Sequence, residues 1–245
     1  MMMKSVTKKF FVAGLFLILV FSVLFFFLRN SSVLSYAEAA CAFSGQKESC
    51  FADNVVFNKG LKYFRGQVRG KTSYTDTLNA LKDLLWSKDG WNLQFAGAGA
   101  PAVREESVLP LRVLARDSSG CFGLVWLAMM VAEKENIALE AILLPGHVTL
   151  RYHGIYMEPN RQGFAYTEEE YREKYAVGPW TGLEFRPLLR NEFLGLAAFN
   201  IGNSYLSLDV QKALSWYRMA EDLFPAYPGI AINRKIALER REGGL

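Results

Sequence analysis

Residues 118–130 read SSGCFGLVWLAMM and join a small polar turn to an apolar run. The run is apolar on nearly every side, which predicts a fully buried helix at the centre of the fold. Cys121 stands at the junction, where this helix should begin. Its thiol is either a nucleophile, favoured as the thiolate by the helix dipole, or a small residue that fits this position.

Helical patterns lie on both sides of this segment. Residues 75–86 (TDTLNALKDLLW) carry leucines at helical spacing and predict a helix that packs through one face. From Phe193 onward, small and large residues follow the order of one tetratricopeptide repeat, with one residue fewer between its two helices. The positions are Ala198, Ile201, Gly202, Tyr205, Ala213, Tyr217, Ala220 and Pro225. We expect this helical hairpin to pack against the preceding domain, with residues 229–241 as a capping helix.

Residues 139–160, LEAILLPGHVTLRYHGIYMEPN, change from helical to strand-like periodicity. Pro145-Gly146 and His153-Gly154 are turn signals within this stretch. The pattern therefore predicts three short strands that follow the buried helix.

The second predicted turn fixes which side chains share a face. If residues 153–154 form a two-residue hairpin turn, Thr149 stands opposite Glu158 and His147 stands opposite Asn160. These four side chains then lie on one face of the strand pair. The imidazole of His147 therefore has a carboxylate and an amide as neighbours.

A thiol, an imidazole and an orienting group are the parts of a thiol acyl-transfer site. The imidazolium of His147 would favour the Cys121 thiolate, and the third group would fix the imidazole tautomer. The free backbone N–H of Cys121 could donate to an oxyanion. His153 is the other histidine in the chain and belongs to the predicted turn.

The stretch from residue 108 to residue 163, VLPLRVLARDSSGCFGLVWLAMMVAEKENIALEAILLPGHVTLRYHGIYMEPNRQG, resembles the transglutaminase-like superfamily and specifically its SirB-type branch. The resemblance covers roughly residues 72–165 and implies Cys121 as nucleophile, His147 as base and Glu158 as the orienting acid. Many related enzymes have Asp where Glu158 stands, and residues 118–120 replace the more typical basic pair and Gly-Asn. Some members of the branch lack the cysteine, which is present here.

Residues 10–28 contain no charge, and the run is long enough to cross a membrane as a helix. Lysines precede it and one arginine follows closely, so we expect a cytoplasmic N-terminus and a periplasmic or extracellular globular part. A cleaved signal peptide is the rival interpretation. Lipidation of Cys41 is a minor alternative.

Cysteine use fits an exported chain. Cys41 and Cys50 are close enough in sequence to form a disulfide in an oxidising compartment, which leaves Cys121 as the odd thiol. The alternative is that all three cysteines are reduced.

Composition narrows the function classes. The net charge of +4 is slight and no basic stripe is present, which argues against a nucleic-acid partner. The histidines and cysteines match no zinc-site spacing, so no metal is expected. Phosphate-loop and dinucleotide glycine patterns are missing, so no cofactor is expected either.

Together these features predict an α+β fold: one transmembrane helix, a papain-like or transglutaminase-like core with a central buried helix against a short antiparallel sheet, and an α-helical repeat tail. The predicted boundaries are 1–28 for the cytoplasmic N-terminus and anchor, 29–50 for a tether, 51–185 for the core and 186–245 for the tail. The resemblance implies a protein that acts on amide bonds of a protein or peptide. The alternative is an inactive module that binds a peptide or protein through the cleft or the repeat.

Overall fold

The computed structural model describes residues 34–97, 104–175 and 180–243 of the chain. This part is a helix-rich α+β structure with two small sheets. The helices are α1 (Tyr36–Phe43), α2 (Val55–Val68), α3 (Tyr74–Trp86), α4 (Glu105–Val108), α5 (Pro110–Arg116), α6 (Cys121–Lys134), α7 (Glu168–Lys174), α8 (Arg190–Tyr205), α9 (Val210–Leu223) and α10 (Pro228–Glu242). The strands are β1 (Gln94–Phe95), β2 (Ser118–Ser119), β3 (Glu140–Leu144), β4 (His147–Tyr152) and β5 (Ile155–Met157).

The apolar run forms the central helix α6. Gly120 is the N-cap residue, Cys121 is the first residue of the helix, and residues 122–132 are all buried. Gly123 allows a close approach, since a Cβ atom there would lie 2.3 Å from Ser119 Oγ and 2.5 Å from the carbonyl oxygen of Ser107. The absence of a side chain at Gly123 therefore lets the segment before Cys121 pack directly on the first turn of α6.

Strands β3, β4 and β5 form an antiparallel sheet that packs on α6. Both central residues of the β4–β5 turn, His153 and Gly154, have positive φ, as a two-residue type I′ turn requires. The register pairs Leu150 with Met157, in agreement with the turn predicted from the sequence.

The predicted pairings of Thr149 with Glu158 and of His147 with Asn160 are wrong. Regular β4–β5 pairing ends at Met157, and a 3-10 turn follows at Pro159–Arg161. Pro159 has no N–H for the ladder and a fixed φ, so it favours the turn over a longer strand.

Helix α1 lies within residues 29–50, for which the sequence predicts a tether. Instead of a tether, residues 36–43 form a capped helix whose Tyr36, Ala39, Ala40 and Cys41 are buried. Trp126 Nε1 of α6 donates a hydrogen bond to the carbonyl oxygen of Tyr36 at 3.0 Å. The small alanines let α1 lie close to its neighbours, so this segment is part of the core.

A disulfide joins Cys41 and Cys50, the pairing that their sequence spacing predicts. The two Cα atoms lie 5.7 Å apart. Cys121 remains a free thiol.

The C-terminal helices α8, α9 and α10 belong to the same compact unit as the rest of residues 35–245. Gly202 of α8 lies against the ring of Tyr217 of α9, where an added Cβ would be 2.6 Å from the ring. Phe193 of α8 stacks on Phe122 of α6 at a centroid distance of 4.6 Å. The tail therefore packs on the central helix.

The prediction of a membrane-spanning helix is corrected by the structure. No helix within residues 34–97, 104–175 and 180–243 is long and apolar enough to cross a membrane. The longest, α8, has 16 residues, whereas a span needs about 20 apolar residues. Residues 10–28, on which the prediction rested, lie outside the described part of the chain.

Candidate active site

Cys121 is held at the N-terminus of the central helix. Cys121 is partly exposed, whereas Phe122 and the ten residues that follow are buried. The backbone N–H groups of the first helical turn have no acceptor within the helix and add a partial positive charge. These N–H groups can donate hydrogen bonds to an oxyanion that forms beside the thiol.

His147 and Glu158 form a buried pair next to this thiol. His147 Nε2 lies 3.0 Å from Glu158 Oε2, and the two residues are only 6 % and 1 % exposed. The charge of Cys121 acts on the imidazole of His147 and raises its pKa, so the thiol and the ring are neighbours. Because Nε2 is bound to Glu158, Nδ1 is the ring nitrogen that is left for the thiol. The three residues therefore follow one another in the order thiol, imidazole, carboxylate.

The electrostatics of the site keep the imidazole charged. Burial alone would lower the pKa of His147, but the charge and hydrogen bond of Cys121, together with those of Glu158, raise it from 6.5 to about 9. Burial opposes ionisation of Glu158, yet the hydrogen bonds and charge around it hold its pKa below the usual value. Near neutral pH these directions favour an imidazolium next to an ionised Glu158.

Tyr171 is the functional candidate that the sequence analysis missed. Its hydroxyl donates to Glu158 Oε2 at 3.0 Å and lies 2.9 Å from Thr149 Oγ1. The single proton of the Thr149 hydroxyl goes either to this Tyr171 oxygen, which continues the chain of hydrogen bonds, or to the carbonyl oxygen of Met157 at 2.8 Å. Thr149 was placed on this face by its register, but Tyr171 belongs to α7 and no local pattern marks it. The carboxylate of Glu158 is therefore supported from behind by a second chain of hydrogen bonds.

Tyr175 covers the imidazole ring. The rings of Tyr175 and His147 are stacked with centroids 4.7 Å apart and an interplanar angle of 5°. Burial and the charge of Glu158 raise the pKa of Tyr175, so its hydroxyl stays neutral. This contact fixes the plane of the imidazole that Glu158 orients through Nε2.

The side chains of Asn160 and His153 do not orient the imidazole of His147. The backbone N–H of Asn160 donates to Glu158 Oε1 at 3.0 Å, so Asn160 supports the carboxylate and does not replace it. Its Oδ1 is buried without a hydrogen-bond partner in the part of the chain that the structure describes. His153 lies in the β4–β5 turn with its ring 5.1 Å from that of Tyr74.

The donor set suits nucleophilic chemistry better than metal binding. Within the described ranges, no group of three or more His, Cys, Asp or Glu side chains could hold a metal ion. The site instead combines a partly exposed thiol, a charged imidazole next to it and a buried carboxylate. Such a site can form and break a bond between the thiol sulfur and an electrophilic carbon.

Comparison of the chain with protein-family models, with curated proteins and with solved structures found no match in any of the three.

Proposed function

We propose that this protein is a thiol acyltransferase or hydrolase that acts on amide bonds of a protein or peptide. Cys121 is the nucleophile, His147 the proton carrier and Glu158 the group that orients the imidazole. The observation that carries the proposal is the order of these side chains, in which a partly exposed thiol neighbours an imidazole that is hydrogen-bonded to a buried carboxylate. The resemblance of residues 72–165 to the transglutaminase-like superfamily points to the same reaction class.

The proposed reaction depends on a proton on each ring nitrogen of His147. The Cys121 thiolate attacks the amide carbon, and the backbone N–H groups of the first turn stabilise the oxyanion. The His147 imidazolium gives its Nδ1 proton to the leaving amine as the C–N bond breaks, which leaves a thioester and a neutral imidazole. A water or an amine then attacks the thioester, and His147 takes the proton of that nucleophile. The C–S bond breaks, the acyl group leaves as a carboxylic acid or a new amide, and the Cys121 thiolate and the His147 imidazolium are restored. Glu158 stays ionised and holds Nε2–H throughout.

The disulfide supports a location outside the reducing cytosol. Cys41 is buried in α1, and its bond to Cys50 would be maintained in an oxidising compartment. We therefore propose that residues 35–245 function in the periplasm or outside the cell.

Alkylation of the native full-length chain tests the nucleophile. Iodoacetamide at neutral pH, without reduction, should label Cys121 and leave the linked Cys41 and Cys50 unlabelled in peptide maps. His147→Ala should slow the labelling, because it removes the imidazolium that stabilises the thiolate. His153→Asn is the matched control: it changes the other histidine, keeps a residue that tolerates positive φ, and should leave the rate unchanged.

Trapping of the thioester tests the reaction. Incubation with a mixture of peptides and hydroxylamine should release hydroxamates from the wild-type chain and none from Cys121→Ala, since hydroxylamine intercepts acyl-thioesters. If Cys121 reacts with iodoacetamide only after denaturation and His147→Ala has no effect, Cys121 is a packing residue. The proposal then fails, and a peptide-binding module without turnover replaces it.

A further inference from the structure

A second site candidate lies away from the thiol, in a cavity of about 760 Å³. The cavity is formed where α4 and α5 meet the C-terminal end of α8 and the loop that leads to α9. Three arginines line it: Arg104 at the start of α4, and Arg112 and Arg116 on α5. Nothing in the proposed acyl transfer uses these residues.

These arginines differ from most others in the described ranges because their side chains form no ion pair there. The side chains of five arginines have no hydrogen bond, ion pair or ring contact within those ranges: Arg69, Arg104, Arg112, Arg116 and Arg218. By contrast, Arg65, Arg186 and Arg190 bind carboxylates at 2.5 to 2.8 Å. Three of these five unneutralised arginines therefore line one cavity, although all five are exposed to solvent.

Two carboxylates also line the cavity, and the charge balance still favours an anion. Glu105 accepts a hydrogen bond from the hydroxyl of Tyr205 and lies 4.0 Å from the ammonium group of Lys212. Glu106 is then the lining carboxylate that remains to balance the charge of the three guanidinium groups. The local charge is positive, and the five N–H donors on each guanidinium exceed what Glu106 can accept.

Asn203 adds a neutral donor whose orientation is fixed. Its Oδ1 accepts hydrogen bonds from the hydroxyl of Tyr217 and from Asn233 Nδ2, each at 2.8 Å. Both bonds use the carbonyl oxygen, so the Nδ2 hydrogens of Asn203 remain for a ligand in the cavity that it lines.

We propose that this cavity binds a phosphate group. A carboxylate offers two oxygens and one charge, which a single arginine can satisfy, whereas a phosphate monoester offers three free oxygens and a charge of about −1.5 to −2. Three guanidinium groups and an amide therefore match a phosphate monoester better. The phosphate belongs either to a soluble phosphate compound or to the monoester headgroup of phosphatidic acid.

Thermal unfolding of the full-length chain with pyrophosphate tests the site. At pyrophosphate concentrations on the order of 100 times Kd, the midpoint should rise by about 5 °C or more relative to sodium chloride of equal ionic strength. Arg112→Gln/Arg116→Gln should lose this rise and keep the unliganded midpoint, because both side chains are exposed and without partners. Arg69→Gln/Arg218→Gln is the matched control, since it removes the same charge from the two unneutralised arginines outside the cavity, and should keep the rise.

A flotation assay separates the two sources of phosphate. Phosphatidylcholine vesicles with phosphatidic acid should bind wild type and the control more than Arg112→Gln/Arg116→Gln if the ligand is a headgroup, and all three equally if it is a soluble compound. The proposal is overturned if pyrophosphate gives the wild type no stabilisation beyond sodium chloride, or if it stabilises the cavity variant as much as the control.

Discussion

Glu158 receives three hydrogen bonds from three different parts of the chain. The donors are His147 Nε2, the backbone N–H of Asn160 and the hydroxyl of Tyr171. A carboxylate that is 1 % exposed needs such partners, because burial of an unpaired charge is strongly unfavourable. At the scale of single residues, the orientation of the imidazole therefore depends on Tyr171 as well as on Glu158.

Tyr171→Phe should separate positioning from catalysis. The variant removes one donor from Glu158, so the pKa of that carboxyl should rise and the acid limb of the Cys121 alkylation rate should move to higher pH. The lost bond to a charged group should lower stability by about 1.5 to 3 kcal/mol. Tyr166→Phe is the control, because the hydroxyl of Tyr166 binds Arg161 and not Glu158. An unchanged acid limb in Tyr171→Phe would show that Tyr171 only fills space.

At the scale of secondary-structure elements, the first turn of α6 must approach its neighbours closely. Gly123 makes this approach possible, since the nearest atoms include the backbone oxygen of Ser107, which cannot rotate away. The same contact keeps Ser119 and the parallel β1–β2 pair beside the start of the helix. The position of the thiol thus depends on a residue that carries no chemistry.

Gly123→Ala should be destabilising by about 1 to 3 kcal/mol, because the new Cβ would overlap two oxygens. Gly66→Ala in α2 is the matched control, since nothing lies within 4 Å of a Cβ added there. This control should instead stabilise the chain by about 0.5 to 1 kcal/mol through better helix propensity. Urea denaturation of both variants measures the difference, and a stabilising Gly123→Ala would contradict the close approach.

At the scale of the whole molecule, the buried pair makes stability depend on pH in two directions. The raised pKa of His147 contributes stability that is complete below about 6.5 and is lost as the pH rises through about 9. The lowered pKa of Glu158 contributes stability above 4.5 that is lost as the pH falls further. We therefore expect maximal stability between these limits.

Chemical denaturation at pH 6.5 and at pH 9 tests this dependence. The free energy of unfolding of the wild type should be lower at the higher pH. His147→Gln should show a much smaller difference, because its amide can still donate to Glu158 but does not titrate. His153→Asn should retain the wild-type difference. Equal pH dependence in wild type and His147→Gln would assign the effect to other groups.

Local patterns in the sequence determined much of the central fold. The unbroken apolar run predicts the buried helix that begins at Cys121, and the residues of the second turn predict the register that pairs Leu150 with Met157. These features depend on side-chain period and on the φ angles that a turn requires, so neighbouring residues suffice to specify them.

Only the tertiary structure decided which distant groups meet. It brings Tyr171 of α7 behind Glu158. It also packs α1 on the central helix and gathers Arg104, Arg112 and Arg116 in one cavity with the end of α8. Such contacts join segments far apart in the chain through shape and hydrogen-bond pairing, for which residue spacing carries no signal.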